Sequence, residues 1–140
     1  MKIIFLDIDG VLNHKNSPLC GAVFGIDYTL LPLLKNILDQ TGAKIVLSSS
    51  WRLSIHPRLR VKDALASIGA EFIDCTKYLG GPRANEIQEW LNRHPEVTDF
   101  IILDDDIDAE IVGHFFQTSM NYGLTEKHVK GIIRYFNRVI

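Results

Sequence analysis

A short apolar run that ends in two carboxylates constrains the fold of this chain more than any other feature. Residues 3–6 are Ile, Ile, Phe and Leu, a continuous apolar segment typical of a strand buried on both faces of a parallel sheet. Asp7 and Asp9 follow directly, and Gly10 permits a sharp turn after them. The sequence therefore predicts a buried strand that delivers two acids to its carboxyl end.

This acid pair indicates more than the start of a loop. In extended backbone Asp7 and Asp9 lie on the same side, where their charges repel unless a hard cation such as Mg²⁺ lies between them. Parallel α/β sheets bind ligands at the carboxyl ends of their strands. We therefore predict a metal site here, with an ordinary acidic loop as the alternative.

A second acidic segment follows a later apolar run. Residues 100–103 are Phe, Ile, Ile and Leu, and Asp104, Asp105, Asp106 and Asp108 come after them. Two acid-bearing strand ends in one small chain favour a shared oxygen-ligand site over two unrelated solvated turns.

Composition limits the function classes. A chain of 140 residues with 46% hydrophobic content predicts one globular domain over residues 1–140. A net charge of −2 and a pI near 6.2 give no broad cationic field for nucleic acid or acidic membranes. Cys20 and Cys75 predict reduced thiols in a cytoplasmic protein, and no apolar run approaches the length of about 20 residues that a membrane span needs.

Hydrophobic periodicity predicts alternating strands and helices. Further strands are expected at residues 44–47, 71–76, 100–103 and 114–118, and helices at 29–40, 57–68, 84–91 and from about 125 onward. Leu59 is expected to face inward and Glu86 outward. Residues 13–27 read as a loop or flap beside the site. His14 and Lys15 are candidates to reach a phosphate from there, although a solvated loop pair is the preferred interpretation. Four cations make the last helix basic, which we interpret as a solvated face: Lys127, Lys130, Arg134 and Arg138.

The string Asp-x-Asp-Gly-Val after an apolar strand resembles the first motif of the haloacid dehalogenase (HAD) superfamily, which consists mostly of phosphatases and phosphotransferases. The resemblance extends over nearly the whole chain. It implies that Asp7 is the nucleophile and Asp9 the general acid and base. It also implies that Asp104 and Asp105 complete an Mg²⁺ site with Asp7 and Asp9, with Asp108 as a supporting ligand.

The segment Ser-Ser-Ser-Trp-Arg at residues 48–52 resembles the second HAD motif and, in particular, small HAD domains associated with RNA-repair proteins. The resemblance implies that Ser48, with Ser49 in reserve, hydrogen-bonds the phosphoryl group. Arg52 is then a candidate phosphate clamp, because its planar guanidinium matches two phosphate oxygens. Trp51 is a candidate for stacking on a base, although packing in the core is the preferred interpretation.

The third HAD motif is a lysine, and this chain departs from it by offering Arg83 near a helix start. The role needs a fixed positive charge near the transferring oxygens, which Arg83 can supply, with Lys77 as the second candidate. An exposed loop cation is the alternative interpretation of Arg83.

The fold that the resemblance implies agrees with the periodicity: a three-layer, Rossmann-like α/β core of five mainly parallel strands flanked by helices, with the first strand central. The segments at residues 13–27 and 84–103 are too short for a cap domain.

The function implied is Mg²⁺-dependent hydrolysis of a phosphate monoester through an aspartyl-phosphate, on a phosphorylated substrate such as an RNA or DNA end. We expect Asp7, Asp105 and the backbone carbonyl of Ile8 to hold the metal. The alternatives are a phosphotransferase of the same superfamily, a receiver-like signalling domain, or a non-catalytic phosphate-binding module. A receiver needs its acceptor Asp on the third strand, whereas here the acids follow the first and fourth predicted strands.

Overall fold

A five-stranded sheet forms the centre of the computed structural model, which describes residues 1–17 and 25–139. The strand order is β3-β2-β1-β4-β5, and all four pairings are parallel, where the sequence predicted mainly parallel strands. The central position of β1 is as predicted. The strands are β1 (Lys2–Leu6), β2 (Lys44–Leu47), β3 (Phe72–Cys75), β4 (Asp99–Asp104) and β5 (Phe115–Gln117).

Helices cover both faces of the sheet and give the predicted three layers. They are α1 (Leu31–Thr41), α2 (Ile55–Ala66), α3 (Arg83–Asn92) and α4 (Glu126–Phe136), with short 3₁₀ turns at Tyr28–Leu30, Ser50–Leu53 and Ile107–Ala109. No helix in the described part of the chain is both long and apolar enough to cross a membrane.

Alternation along β1 divides its side chains between the two faces. Ile4 and Leu6 pack in the cluster that contains the buried residues of α1, α2 and α4, whereas Ile3 and Phe5 pack with those of α3. The Phe5 ring meets Trp90 edge to face, with centroids 5.6 Å apart. All four strand residues are fully buried, and each such side chain contributes about 1.5–3 kcal/mol relative to exposure. The central strand therefore anchors the loop that follows it.

Several details of the helix predictions need correction. The helix predicted from Pro57 begins at Ile55, and its Leu59 is 46% exposed instead of facing inward. The buried stripe of α2 is narrow and consists of Val61, Ala64 and Leu65. Glu86, predicted to face solvent, is buried because it has an ionic partner inside the fold.

Candidate active site

Strand register aligns the ends of three strands. Leu6 of β1 pairs with Leu47 of β2 and with Leu103 of β4. The residues that follow them, Asp7, Ser48 and Asp104, therefore form one row at the carboxyl edge of the sheet. Backbone hydrogen bonds continue the ladder into this row, from the Asp7 amide to Leu103 and from the Ser48 amide to Leu6, each 3.0 Å. Sequence signals that lie 40 to 100 residues apart thus meet at one edge.

Three carboxylates converge at the centre of this row. Asp7, Asp104 and Asp105 each offer an oxygen atom, and these three atoms lie within 4.8 Å of one another. Asp7 and Asp104 are buried and Asp105 is partly buried, and an all-oxygen set of carboxylates fits a hard divalent cation such as Mg²⁺. Asp9 and Asp108, predicted as further ligands, do not belong to this group. Asp9 accepts hydrogen bonds from Asn13 and Trp51, and Asp108 accepts one from the Arg83 amide.

The pKa values of two acids in the cluster are raised. Burial, and then the neighbouring charge of Asp104, raises the pKa of Asp7 well above its usual range, although Arg83 opposes the effect. Burial also raises the pKa of Asp105. Without a cation, the cluster therefore favours a bound proton, and a divalent cation would displace that proton because it stabilises the ionised carboxylates.

Arg83 supplies the positive charge at this edge. Its Nη1 lies 2.8 Å from Oδ2 of Asp104 and 3.2 Å from Oδ1 of Asp7. Burial alone would lower the pKa of Arg83, but the charges of Asp7 and Asp104 more than reverse this, so the pKa is raised. Among the described residues, none accepts a hydrogen bond from its Nε or Nη2. Arg83 is thus bound to the acids and keeps donors for another anion.

The alternative cation, Lys77, lies away from the acids. Its ammonium group is largely exposed and is 3.9 Å from the carboxylate of Glu89. Arg83 begins helix α3, whose first backbone N–H group donates to Asp108 over 3.3 Å. Asp108 therefore holds the start of the helix that carries Arg83, which is a different role from the metal ligand that the sequence predicted.

Two donors orient Asp9. The indole N–H of Trp51 donates to Oδ2 over 3.1 Å, and the Asn13 amide donates to Oδ1 over 3.0 Å. Each carboxylate oxygen has a second lone pair and can accept one further hydrogen bond. Trp51 is only 8% exposed, so the preferred packing interpretation agrees with the structure, and the alternative of a base stacking on it does not.

Gly10 allows Asp105 to approach the loop after β1. Its backbone has φ +78°, and a Cβ atom built there would lie 2.7 Å from the Asp105 carboxyl group. Only glycine combines this dihedral with that close approach. The two acidic segments therefore touch at a position where no side chain fits.

The neighbouring serines differ in their hydrogen bonds. The Ser49 hydroxyl accepts the Trp51 amide over 3.1 Å and caps the 3₁₀ turn Ser50–Leu53. The Ser48 hydroxyl is buried and has no hydrogen-bond partner among the described residues. A buried hydroxyl without a partner costs about 1–3 kcal/mol, and a bound phosphoryl oxygen would remove that cost.

Arg52 is not the phosphate clamp that the sequence predicted. Its guanidinium is buried, and its Nη2 forms an ion pair of 3.0 Å with Glu86. The other nitrogens donate to the backbone carbonyls of Ser48, Ser49 and Thr76. Because protein acceptors use each nitrogen of the fork, Arg52 ties the turn after β2 to α3 and leaves no free pair of donors for phosphate.

The carbonyl of Ile8 is also committed elsewhere, against the prediction that it holds the metal. It accepts the amides of Val11 and Leu12, at 3.0 and 2.9 Å, within the turn after β1. The predicted loop at residues 13–27 lies partly outside the described residues. In the described part, the His14 ring is 3.6 Å from Asp27, so it does not point to the acid cluster.

Two residues at the edge of the sheet were not identified from the sequence. Asn13 is fully buried, accepts the Gly10 amide and donates to Asp9, although it reads as the first residue of a loop. Thr118 follows β5 and is buried, and its hydroxyl has no partner among the described residues. Its position after an apolar strand is the signal that could have identified it, since Ser48 was identified in that way.

Comparison with known proteins gives one family. Residues 3–129 match the model of the family described as the HAD domain in Swiss Army Knife RNA repair proteins. The match runs from the first residues of β1 into α4 and so includes every residue of the row described above. Neither the curated proteins nor the solved structures contain a significant match.

Proposed function

The chain belongs to the family of HAD domains found in Swiss Army Knife RNA repair proteins, and on this premise we propose that it is an Mg²⁺-dependent phosphatase that works through an aspartyl-phosphate. One observation carries the proposal. The buried carboxylate of Asp7 is grouped with two further acids, a set that fits a divalent cation, and it also pairs with Arg83. Asp9 is held separately by two neutral donors. The two carboxylates of the first loop thus have different surroundings, as two different roles require.

In the first step Asp7 is the nucleophile. One of its Oδ atoms attacks phosphorus in line, and the bond from phosphorus to the ester oxygen breaks. The leaving oxygen takes a proton from Asp9, whose direction Trp51 and Asn13 fix. The products are the phosphorylated carboxyl of Asp7 and a free alcohol.

In the second step Asp9 is the base. It removes a proton from a water molecule that attacks the phosphorus of the aspartyl-phosphate, and the bond between phosphorus and the Asp7 oxygen breaks. This releases inorganic phosphate, returns Asp7 to its ionised form and leaves Asp9 protonated for the next cycle. Each proton that Asp9 gives in the first step is therefore recovered in the second.

Positive charge is the other requirement of phosphoryl transfer. Mg²⁺ bound by Asp7, Asp104 and Asp105 would offset the repulsion between the anionic nucleophile and the phosphate. Arg83 adds a fixed charge, and its Nε and Nη2 donors suit the transferring oxygens. The unpartnered hydroxyl of Ser48 supports a further hydrogen bond to the phosphoryl group. These roles of Arg83 and Ser48 are part of the proposal.

The substrate proposed is a phosphate at the end of a large molecule. A cap domain that encloses a small metabolite is absent from the described residues, since short connections and helices join the strands. Because no cap covers the carboxyl edge of the sheet in the described residues, a polymeric substrate itself would exclude water from the reacting phosphate. The description of the family, which names RNA repair, supports a nucleic-acid end as that substrate.

Hydrolysis of an aryl phosphate tests the reaction class. We expect turnover with Mg²⁺, loss in EDTA, poor support by Ca²⁺ because its coordination is larger and looser, and a fall of several orders of magnitude in Asp7→Asn. Near-normal turnover of Asp7→Asn, or of wild type in EDTA, would contradict the proposal. Adding alcohol acceptors distinguishes a phosphotransferase, which would transfer phosphate to them in preference to water.

A further inference from the structure

A groove opens from the acid cluster toward the last helix. It has a volume of about 530 Å³ and is lined, among others, by Asp105, Gln117, Thr118, Tyr122 and His128. Asp105 belongs to the candidate metal site, so the groove begins at the reacting edge. The Gln117 side chain donates a hydrogen bond to the backbone carbonyl of Asp105 over 3.1 Å. This bond connects the end of β5 to the loop after β4.

Two features of the groove indicate a ligand. Thr118 is only 5% exposed, and its hydroxyl has no hydrogen-bond partner among the described residues. Tyr122 is 69% exposed, so its ring is open to a flat partner such as a base. An unsatisfied hydroxyl and an open aromatic face in one groove suit a molecule with both a polar and a flat apolar part.

A second groove continues from the first. It has a volume of about 680 Å³, lies between β5 and α4, and shares Gln117 and His128 with the first groove. Its rim carries three cations, Lys127, Lys130 and Arg134, all of them exposed. Their spacing of i, i+3 and i+7 places them on one side of α4, over about 10 Å of helix axis.

These cations differ from Arg138, which the sequence predicted on the same helix but which lies two residues after α4 ends. Arg138 pairs with Asp99 at 2.8 Å. Within the described ranges, no carboxylate lies within 4.0 Å of the charged groups of Lys127, Lys130 or Arg134. A row of unpaired cations on a protein with net charge −2 is complementary to a row of anions.

We propose that the two grooves form one track for a single-stranded nucleic acid whose terminal phosphate enters the acid cluster. This inference rests on the proposed function, because it assigns the substrate of the same site. Tyr122 stacks on the terminal base and Thr118 hydrogen-bonds the terminal sugar. The next phosphates lie along Lys127, Lys130 and Arg134. The basic side of α4 is therefore a binding surface and not merely a solvated one.

A binding measurement tests the role of the α4 cations independently of catalysis. Fluorescence anisotropy of a terminally phosphorylated RNA strand is measured in Asp7→Asn, which cannot consume it. If three phosphates are contacted, affinity falls about 20-fold between about 50 and 200 mM salt, and Lys127→Gln/Lys130→Gln reduces that fall to about threefold. The matched control Lys44→Gln/Lys62→Gln removes the same charge from exposed lysines elsewhere and should keep the wild-type salt dependence.

Tyrosine substitutions test the stacking part. Tyr122→Ala should weaken binding of the strand about tenfold, since stacking on one base contributes roughly that factor. Tyr78→Ala is the matched control, because Tyr78 is 67% exposed and does not line either groove. Loss of binding in Tyr78→Ala but not in Tyr122→Ala would overturn the track.

The failure of the track is distinguishable from failure of the proposed function. If the protein hydrolyses an aryl phosphate but substitutions of Lys127, Lys130 and Tyr122 do not change strand binding, the proposed track is refuted and the proposed phosphatase activity is supported. If strand binding depends on these residues but the protein does not hydrolyse the aryl phosphate, the track is supported and the proposed phosphatase activity is refuted. A phosphopeptide that binds more tightly than the strand, with the same dependence on the lysines, would also overturn the nucleic-acid assignment.

Discussion

Gly10 lies where the loop after β1 passes against Asp105. We expect Gly10→Ala to raise the Mg²⁺ concentration needed for half-maximal activity about tenfold or more. The added methyl group would lie 2.7 Å from the Asp105 carboxyl group, so one of the two must move. The φ of +78° adds about 1–2 kcal/mol of backbone strain for a residue with a Cβ atom. Metal titration of aryl phosphate hydrolysis and thermal unfolding measure the two effects.

Gly42→Ala is the control for Gly10→Ala. Gly42 has φ +70°, and a Cβ atom added there would meet no described atom within 4 Å, so the substitution imposes the strain without the contact. It should lose a similar amount of stability with the Mg²⁺ requirement unchanged. An unchanged requirement in Gly10→Ala would show that Asp105 does not hold the metal.

Trp51 is expected to act through Asp9. Trp51→Phe removes the indole donor to Asp9 but keeps a ring in the buried position, so kcat should fall about tenfold with KM nearly constant, because the general acid is less well held. Trp90→Phe is the control, since that indole donates to Asp74. A rise in KM of Trp51→Phe with constant kcat would favour base stacking instead.

Asp7 should reduce the stability of the metal-free protein at neutral pH. Its pKa in the folded chain is raised, so the stability present below the unfolded pKa of about 3.9 is lost as pH rises toward the folded value. Asp7→Asn carries no charge to bury and should melt higher in EDTA at pH 7, by about 4 °C for each kcal/mol regained.

The pH dependence provides the check on Asp7. The advantage of Asp7→Asn in melting temperature should shrink below about pH 4, where the wild-type carboxyl is protonated in both states. Glu71→Gln, at an exposed site, should show no comparable gain. A lower melting temperature of Asp7→Asn at pH 7 would mean that the pair with Arg83 outweighs burial.

Residues at strand ends could be predicted from sequence, whereas their partners could not. Asp7, Ser48 and Asp104 each follow an apolar run, which is a local pattern. The bond from Trp51 to Asp9 joins positions 42 residues apart and depends on the side-chain conformations that packing selects. Arg52 was misassigned for the same reason, since five donors at a strand end suit a phosphate as well as they suit the backbone carbonyls that bind it here.

At the scale of elements, a buried ion pair fixes α3. Arg52, in the 3₁₀ turn after β2, pairs with Glu86 on the first turn of the helix that begins at Arg83. The second oxygen of Glu86 accepts the Leu79 amide over 2.8 Å, which holds the connection before the helix. The charge that serves the acid cluster is therefore positioned by a salt bridge that lies outside it.

Breaking this pair should be costly. Arg52→Met leaves Glu86 buried without its partner and should lower the free energy of unfolding by about 3–5 kcal/mol. Arg93 directly follows the same helix and forms a surface ion pair with Glu89. Arg93→Met breaks that pair and should change the free energy of unfolding only slightly. Urea unfolding measures both. Equal, small losses would contradict the structural role of Arg52 and reopen the phosphate clamp.

Element types were predictable, but their ends were less so. Period and composition identified each strand and helix because apolar runs and i, i+3, i+4 stripes are local. The start of α2 was missed by two residues, because Pro57 suits the first turn of a helix and gives no sign of how many residues precede it. The burial of Glu86 was missed because its partner is on another element.

For the molecule as a whole, the order of strands creates the site. β1 lies between β2 and β4, so the acids after β1 and β4 become neighbours although about 100 residues separate them. This order followed from right-handed crossovers and from the HAD resemblance, and it is confirmed. The two grooves between β5 and α4 could not be predicted from sequence, because they depend on how the elements pack in three dimensions.

Trapping the proposed covalent intermediate on Asp7 is the most direct test of the proposed mechanism. An aryl leaving group needs little protonation, so Asp9→Asn should still form the aspartyl-phosphate but hydrolyse it slowly for lack of a base. After mixing this variant with Mg²⁺ and aryl phosphate and quenching in acid, mass spectrometry should find one phosphoryl group on the peptide containing Asp7, and none in Asp7→Asn/Asp9→Asn. Release of the aryl alcohol by Asp9→Asn without any phosphoryl group on Asp7 would contradict the account.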